Sequence, residues 1–158
     1  MPQIGSPRVR YGAPTTMYLV DTNIWLERLL DQARADEVRR FLNALPSDQF
    51  AISHFSLHSI GVILGRYGRR DDLVAFVRDL FIDGMTRVVT VPPEAFEQIT
   101  IAMDAQRLDF DDAYQYVAVL QSGAELVSFD TDFDRTNMRR LTPAEVLASL
   151  APPEAPAP

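Results

Sequence analysis

The chain contains no cysteine, which excludes disulfides, thiolate nucleophiles and Cys-ligated zinc. That absence also fits a cytoplasmic location. Lysine is missing as well: all 15 basic side chains are arginine. Schiff-base chemistry, a Walker-type phosphate-binding lysine and the lysine of a receiver-type phosphoacceptor site are therefore excluded. No apolar run approaches the roughly 20 residues of a membrane helix, so no membrane association is expected. Residues 1–16 hold Pro, Gly and Arg but no apolar stretch of signal-peptide type.

A chain of 158 residues with 47% hydrophobic side chains can bury one substantial core. The net charge of −7 makes nonspecific duplex binding a poor expectation, because such binding rests on neutralising phosphates. It leaves a nuclease open, since acids can be concentrated at a metal site. Two local arginine clusters stand out, Arg66, Arg69 and Arg70, then Arg135, Arg139 and Arg140. Such clusters are either solvated helix ends or contacts for phosphates and partner carboxylates.

Residues 1–16 are expected to form a flexible leader, 17–149 one domain, and 150–158 a disordered Pro/Ala tail. Within the domain, strand and helix patterns alternate. Strands are predicted at Tyr18–Val20, Phe50–Ile52, Val88–Val91 and Glu125–Phe129, with Arg140-Leu141 as a marginal edge strand. Helices are predicted from Thr22, Ala35, Ser53 and Asp71, from the Pro92-Pro93 pair, from Phe110, and from the capping-box sequence Thr142-Pro143-Ala144-Glu145. Gly123 should end the helix that starts at Phe110. This alternation predicts an α/β fold of three layers, with a central parallel sheet of four to five strands covered on both faces.

Acidic residues recur where strands end or helices begin. They are Asp21 in Leu19-Val20-Asp21-Thr22-Asn23, then Asp109, Asp111 and Asp112, and finally Asp130, Asp132 and Asp134 in Ser128-Phe129-Asp130-Thr131-Asp132-Phe133-Asp134. In an α/β fold these positions converge on one edge of the sheet. Converging carboxylates repel, and a hard cation such as Mg²⁺ or Mn²⁺ resolves the conflict. Each acid also has a bland reading. Asp21 and Asp109 suit helix N-caps, and Asp111 suits the positive end of a helix dipole. Asp130 and Asp132 suit an Asx turn, and Asp134 suits solvent.

In their order and setting, Leu19-Val20-Asp21-Thr22-Asn23, Asp111-Asp112-Ala113 and Ser128-Phe129-Asp130-Thr131-Asp132-Phe133 resemble PIN-domain proteins. In size the chain resembles the VapC-type toxins of bacterial toxin–antitoxin pairs. The resemblance spans about residues 17–149. It implies a parallel sheet between helices and Mg²⁺- or Mn²⁺-dependent endoribonuclease activity through a metal-activated water. It carries Asp21, Asp112 and Asp130 over as catalytic and metal-site acids, with Asp132 as an additional or alternative ligand. Asn23 and Ser128 would orient these carboxylates or a bound water. The implied partners are an RNA substrate, a small antitoxin and a second copy of the chain.

One departure from the family pattern bears on activity. The glutamate of a Ser-x-x-Ser/Thr-x-x-Glu pattern falls on Ser59, in Ser53-His54-Phe55-Ser56-Leu57-His58-Ser59. A serine can hold a water but adds no charge, so the alternative is a catalytically weakened RNA- or protein-binding module. His54 and His58 share helical i, i+4 spacing, which suits a transition metal or a simple surface stripe. At about 100° per residue neither projects where Ser59 does. Tyr114 and Tyr116 could stack on a base or pack internally. Trp25 and Ile60, Val62, Ile63 and Leu64 could line a partner groove or the core.

Overall fold

Strand β1 (Tyr18–Val20) is wholly buried and lies at the centre of a five-stranded sheet ordered β3-β2-β1-β4-β5. The computed structural model describes residues 15–151. Most of the leader and tail expected at 1–16 and 150–158 thus lies outside the described residues. The remaining strands are β2 (Phe50–Ser53), β3 (Arg87–Val89), β4 (Glu125–Val127) and β5 (Arg140–Leu141). Every pairing is parallel, with Tyr18 opposite both Phe50 and Glu125, Ile52 opposite Val88, and Val127 opposite Leu141.

Side chains alternate across the sheet, and the two faces build two cores. Leu19, Ala51 and Leu126 face α5 (Phe96–Gln106) and α6 (Phe110–Ser122), packing on Ile99, Ala102, Val117 and Ala118. Tyr18, Val20, Phe50, Ile52 and Val127 face the other layer. That layer holds α1 (Thr22–Leu29), α2 (Ala35–Ala44), α3 (His54–Arg66), α4 (Arg70–Phe81) and α7 (Pro143–Leu150). It contributes Trp25, Phe41, Ile60, Phe76 and Val146 to the core. The central strands β1 and β2 are covered on both faces, as hydrophobic runs without polar alternation require, whereas the edge strand β3 is largely exposed.

The helix ends follow local chemistry. Asp21 caps α1 and Ser53 caps α3, its hydroxyl accepting from Ser56 N at 2.9 Å. Thr142 and Glu145 form a complete capping box on α7. Gly123 closes α6 at φ +66°, a left-handed conformation that costs glycine nothing. The Pro92-Pro93 pair opens a 3-10 turn, Pro93–Ala95, and α5 begins only at Phe96.

Two strands are shorter than predicted. β3 spans Arg87–Val89 rather than Val88–Val91, because Val91 N donates to the Tyr114 hydroxyl at 3.0 Å and Pro92 has no N–H to extend a ladder. β4 stops at Val127 rather than Phe129, because Phe129 N turns to Asn23 Oδ1 at 3.1 Å. The segment after it is a 3-10 helix, Thr131–Arg135. Among the described residues no helix is long and apolar enough to cross a membrane.

Candidate metal centre

The strand order reverses direction at β1, whose neighbours β2 and β4 belong to opposite halves of the chain. Crevices form at the carboxyl ends of strands flanking such a switch point. Asp21 follows β1 directly, and Ser128 follows β4. A cavity of about 320 Å³ opens there, lined by Asp21, Thr22, Asn23, Ser59, Asp111, Asp112, Gln115 and Asp130 among others. A larger cavity of about 520 Å³ lies at the opposite ends of the strands, beside Arg87, Gly123 and Glu125. Asp48 and Glu125 line it, but among the described residues no three acids meet there.

Asp21 is buried at the floor of the acidic cavity. Its Oδ1 accepts from Thr22 N at 2.7 Å and Gln115 Nε2 at 2.8 Å. Its Oδ2 accepts from Ser128 Oγ at 2.6 Å and Asn23 Nδ2 at 3.0 Å. Four donors thus occupy the four lone-pair sites of one carboxylate. Burial still pushes the Asp21 carboxyl above its ordinary value, the Ser128, Gln115 and Thr22 bonds oppose that rise, and Asp130 adds to it. The helix-cap reading of Asp21 is therefore correct, but capping uses only one of its four bonds.

Asn23 ties the ends of the two central strands together. Its Nδ2 reaches Ser128 Oγ at 3.1 Å as well as Asp21, and its Oδ1 receives Phe129 N. Ser128 Oγ also accepts from Asp130 N at 2.9 Å, which fixes the start of the next acidic segment. Both residues singled out as supporting groups are therefore in contact with the acids.

Asp112, Asp130 and Asp132 converge, with one ligand atom from each lying within 4.8 Å of the others. Asp21 lines the same cavity but is not part of that group. Asp112 sits in the first turn of α6, and its carboxyl is pushed up to about 7. Burial is the first cause, followed by the charges of Asp109, Asp130, Asp21 and Asp132. Burial and Asp109 also raise Asp111. Asp130 accepts from Asp132 N at 2.8 Å, the Asx-turn arrangement, while Arg135 pairs with Asp132 at 3.0 Å.

The remaining candidates separate from this group. Asp109 is the N-cap of α6, accepting from Asp112 N at 2.9 Å. Asp134 is exposed, as expected, and also pairs with Arg140 through two bonds of 2.8 and 2.9 Å, which hold its carboxyl below the ordinary range. Ser59 does face the cavity. His54 and His58 are exposed and line a neighbouring hollow, away from the carboxylates. Tyr114 and Tyr116 are buried, with hydroxyls bonded to Val91 N and Asn137 Oδ1. Trp25, Ile60 and Leu64 are core, whereas Val62 is 40% exposed.

Sequence reasoning missed Gln115. It is 2% exposed, and its Nε2 reaches Asp21 and, at 2.9 Å, Ser56 Oγ. Ser56 Oγ in turn lies 2.8 Å from Thr22 Oγ1 and 3.0 Å from Ser53 Oγ. The available signal was a lone glutamine inside the buried run Ala113–Val119. Its Oε1 is buried without a protein partner. Turning the amide over would set that oxygen against the Asp21 carboxylate, so the Asp21 charge fixes its orientation.

The donor set is all oxygen, and Arg135 is the one cationic side chain that pairs with the three converging carboxylates among the described residues. Crowded, partly buried carboxylates in negative excess fit a hard divalent cation.

Comparison with known proteins agrees with this architecture. The family model of the PIN domain matches residues 18–138. Comparison with curated proteins gives no match. Among solved structures, a toxin–antitoxin complex from Klebsiella pneumoniae is similar at TM-score 0.63 and 22% identity, covering 80% of this chain and 97% of that one. VapC20 from Mycobacterium tuberculosis, a sarcin-ricin loop cleaving toxin, has TM-score 0.66 and 22% identity, covering 79% and 98%. VapBC2 from Rickettsia felis, bound to a DNA fragment of its promoter, has TM-score 0.63 and 15% identity, covering 80% and 98%. At these identities the likeness is one of fold.

Proposed function

The chain belongs to the PIN domain family, and from that premise we propose that it is a divalent-metal-dependent endoribonuclease, the toxin of a type II toxin–antitoxin pair. The observation that carries the proposal is the convergence of Asp112, Asp130 and Asp132 at the crevice floored by Asp21. These three carboxylates would hold Mg²⁺ or Mn²⁺. A bound ion of this kind lowers the pKa of a water and offsets negative charge on a phosphate undergoing attack.

The chain's own groups have separable tasks. Asp21 adds a fourth carboxyl group at the cavity floor, held by Thr22, Gln115, Asn23 and Ser128. Asn23 and Ser128 fix the distance between the β1 and β4 ends, and with it the position of Asp130. The Asp112 carboxyl, pushed up to about 7, would give up its proton on ligating a cation. The Ser59 hydroxyl faces the cavity and can hold a water there.

RNA as substrate and an antitoxin as partner are supported by the similar toxin and toxin–antitoxin structures. An antitoxin needs an apolar seat, and the hollow of about 400 Å³ between α3 and α4, walled by Leu57, Val62, Leu73 and Val77, offers one. A second copy would cover Ile101 and Leu120, which are 58% and 60% exposed on α5 and α6.

Ser59 favours a second reading, a PIN scaffold with weakened catalysis that binds RNA or protein. Cleavage of a mixed RNA pool by wild type and Asp130→Asn separates the two. We expect cutting in Mn²⁺ or Mg²⁺, none in EDTA, and a rate at least about a hundredfold lower in the variant. Undiminished cutting in EDTA or by Asp130→Asn overturns the metal assignment. No cutting by wild type favours the binding module.

A further inference from the structure

Beside the acidic cavity lies a second hollow of about 350 Å³ whose walls are largely aromatic. Phe55, Phe96, Phe110 and Tyr114 form one cluster, with contacting ring centroids 5.5–6.5 Å apart. Two of these rings open outward, Phe96 at 44% and Phe110 at 39% exposure. The exposed His54 and His58 stand on the rim, so polar ring nitrogens lie next to the aromatic faces.

The two hollows share a wall. Phe55 lines both, and Phe110 precedes Asp111 and Asp112 at the start of α6. Four aspartates line the first hollow, whereas no carboxylate lines the second. A nucleotide has the same division, with an anionic phosphate and a neutral, planar base one sugar apart. The acidic hollow needs a cation before it can accept the phosphate, and the aromatic hollow needs none to accept the base.

Resting on the nuclease reading of the acidic cavity, we infer that this hollow is a base-stacking subsite of the same active centre. It receives an unpaired base next to the phosphate being cut. Phe96 and Phe110 supply the stacking faces, and Phe55 and Tyr114 back them. His54 and His58 meet the polar edges of the base. Stacking on aromatic rings tolerates every base, so the subsite selects single strands rather than one sequence.

Phe96 is the residue to test, because it is exposed and lies on α5, away from the acids and their hydrogen-bond network. Affinity is measured by fluorescence anisotropy in Ca²⁺ for wild type, Phe96→Ala and Phe96→Tyr, with RNA integrity checked on a gel. The probes are a short mixed-sequence single-stranded RNA and a base-free ribose-phosphate strand of equal length. Cleavage in Mn²⁺ is followed separately. Phe96→Ala is expected to weaken the base-bearing strand roughly five- to hundredfold. The base-free strand should be unaffected, and Phe96→Tyr should bind as wild type does.

Equal affinity of wild type and Phe96→Ala for the base-bearing strand overturns the subsite. So does an equal loss for both strands. Unchanged RNA binding with altered self-association also overturns it and assigns the rings to a protein contact. Base-dependent loss in a chain that does not cleave supports the subsite and rejects the nuclease reading. Cleavage that persists with no base-dependent loss does the reverse.

Discussion

Asp21 and Asp112 are both raised above the ordinary carboxylate value, yet for different structural reasons. Asp21 is enclosed and receives four hydrogen bonds, so its charge is anchored by fixed dipoles. Asp112 has fewer compensating partners and faces several other carboxylates. The first is therefore held in a hydrogen-bonded framework and the second is crowded by other acids. Ser128, 107 positions from Asp21, was named in the sequence only through the family resemblance, whereas Gln115, 94 positions away, was hidden there. Ser59, in contrast, was legible from the family spacing, and it does face the cavity. Adding a carboxylate there supplies the missing charge. Ser59→Glu should tighten Mn²⁺ binding roughly tenfold or more by calorimetry, since ligand charge tunes divalent affinity over such ranges. Unchanged affinity would mean that position 59 does not reach the ion.

At the scale of elements, the segment after β4 does most to assemble the site. Its 3-10 helix carries Asp132 and Asp134, with Asp130 as its cap. Arg140, at the start of β5, grips Asp134 through two bonds and donates to Ser128 O at 2.9 Å. A two-residue strand thus pins the loop that presents two of the three converging acids. Periodicity located the long elements correctly, because α3 and α6 carry apolar residues at helical spacing and the central strands are short apolar runs. It overextended β3 and β4, since the bonds that end them come from Tyr114 and Asn23, distant in sequence. The residues predict an Asx turn at Asp130 and Asp132 but not the 3-10 helix that follows, because a short 3-10 segment has no apolar period to read. Arg140→Met should cost roughly 1–2 kcal/mol in urea unfolding, the half-exposed Asp134 limiting the effect. It should weaken Mn²⁺ binding at the same time. A stability loss without any change in metal affinity would show that the loop holds its shape unaided.

For the whole molecule, the charge pattern has a consequence. The net charge is −7, and three of the six clustered arginines are engaged internally: Arg69 with Asp72, Arg135 with Asp132 and Arg140 with Asp134. A polyanion approaching the acidic crevice would need a cation there to offset the carboxylates. Proton release links that cation to pH. The Asp112 carboxyl lies near 7 without metal and must be ionised to ligate it, so affinity should rise as pH increases through about 7. The most direct test is calorimetric titration of Mn²⁺ into wild type and Asp112→Asn at pH 6 and pH 8. Tighter binding at pH 8, net proton release at pH 6, and loss of both in the variant are the expected results. Binding that is independent of pH, or retained in Asp112→Asn, would contradict a metal centre built on these carboxylates.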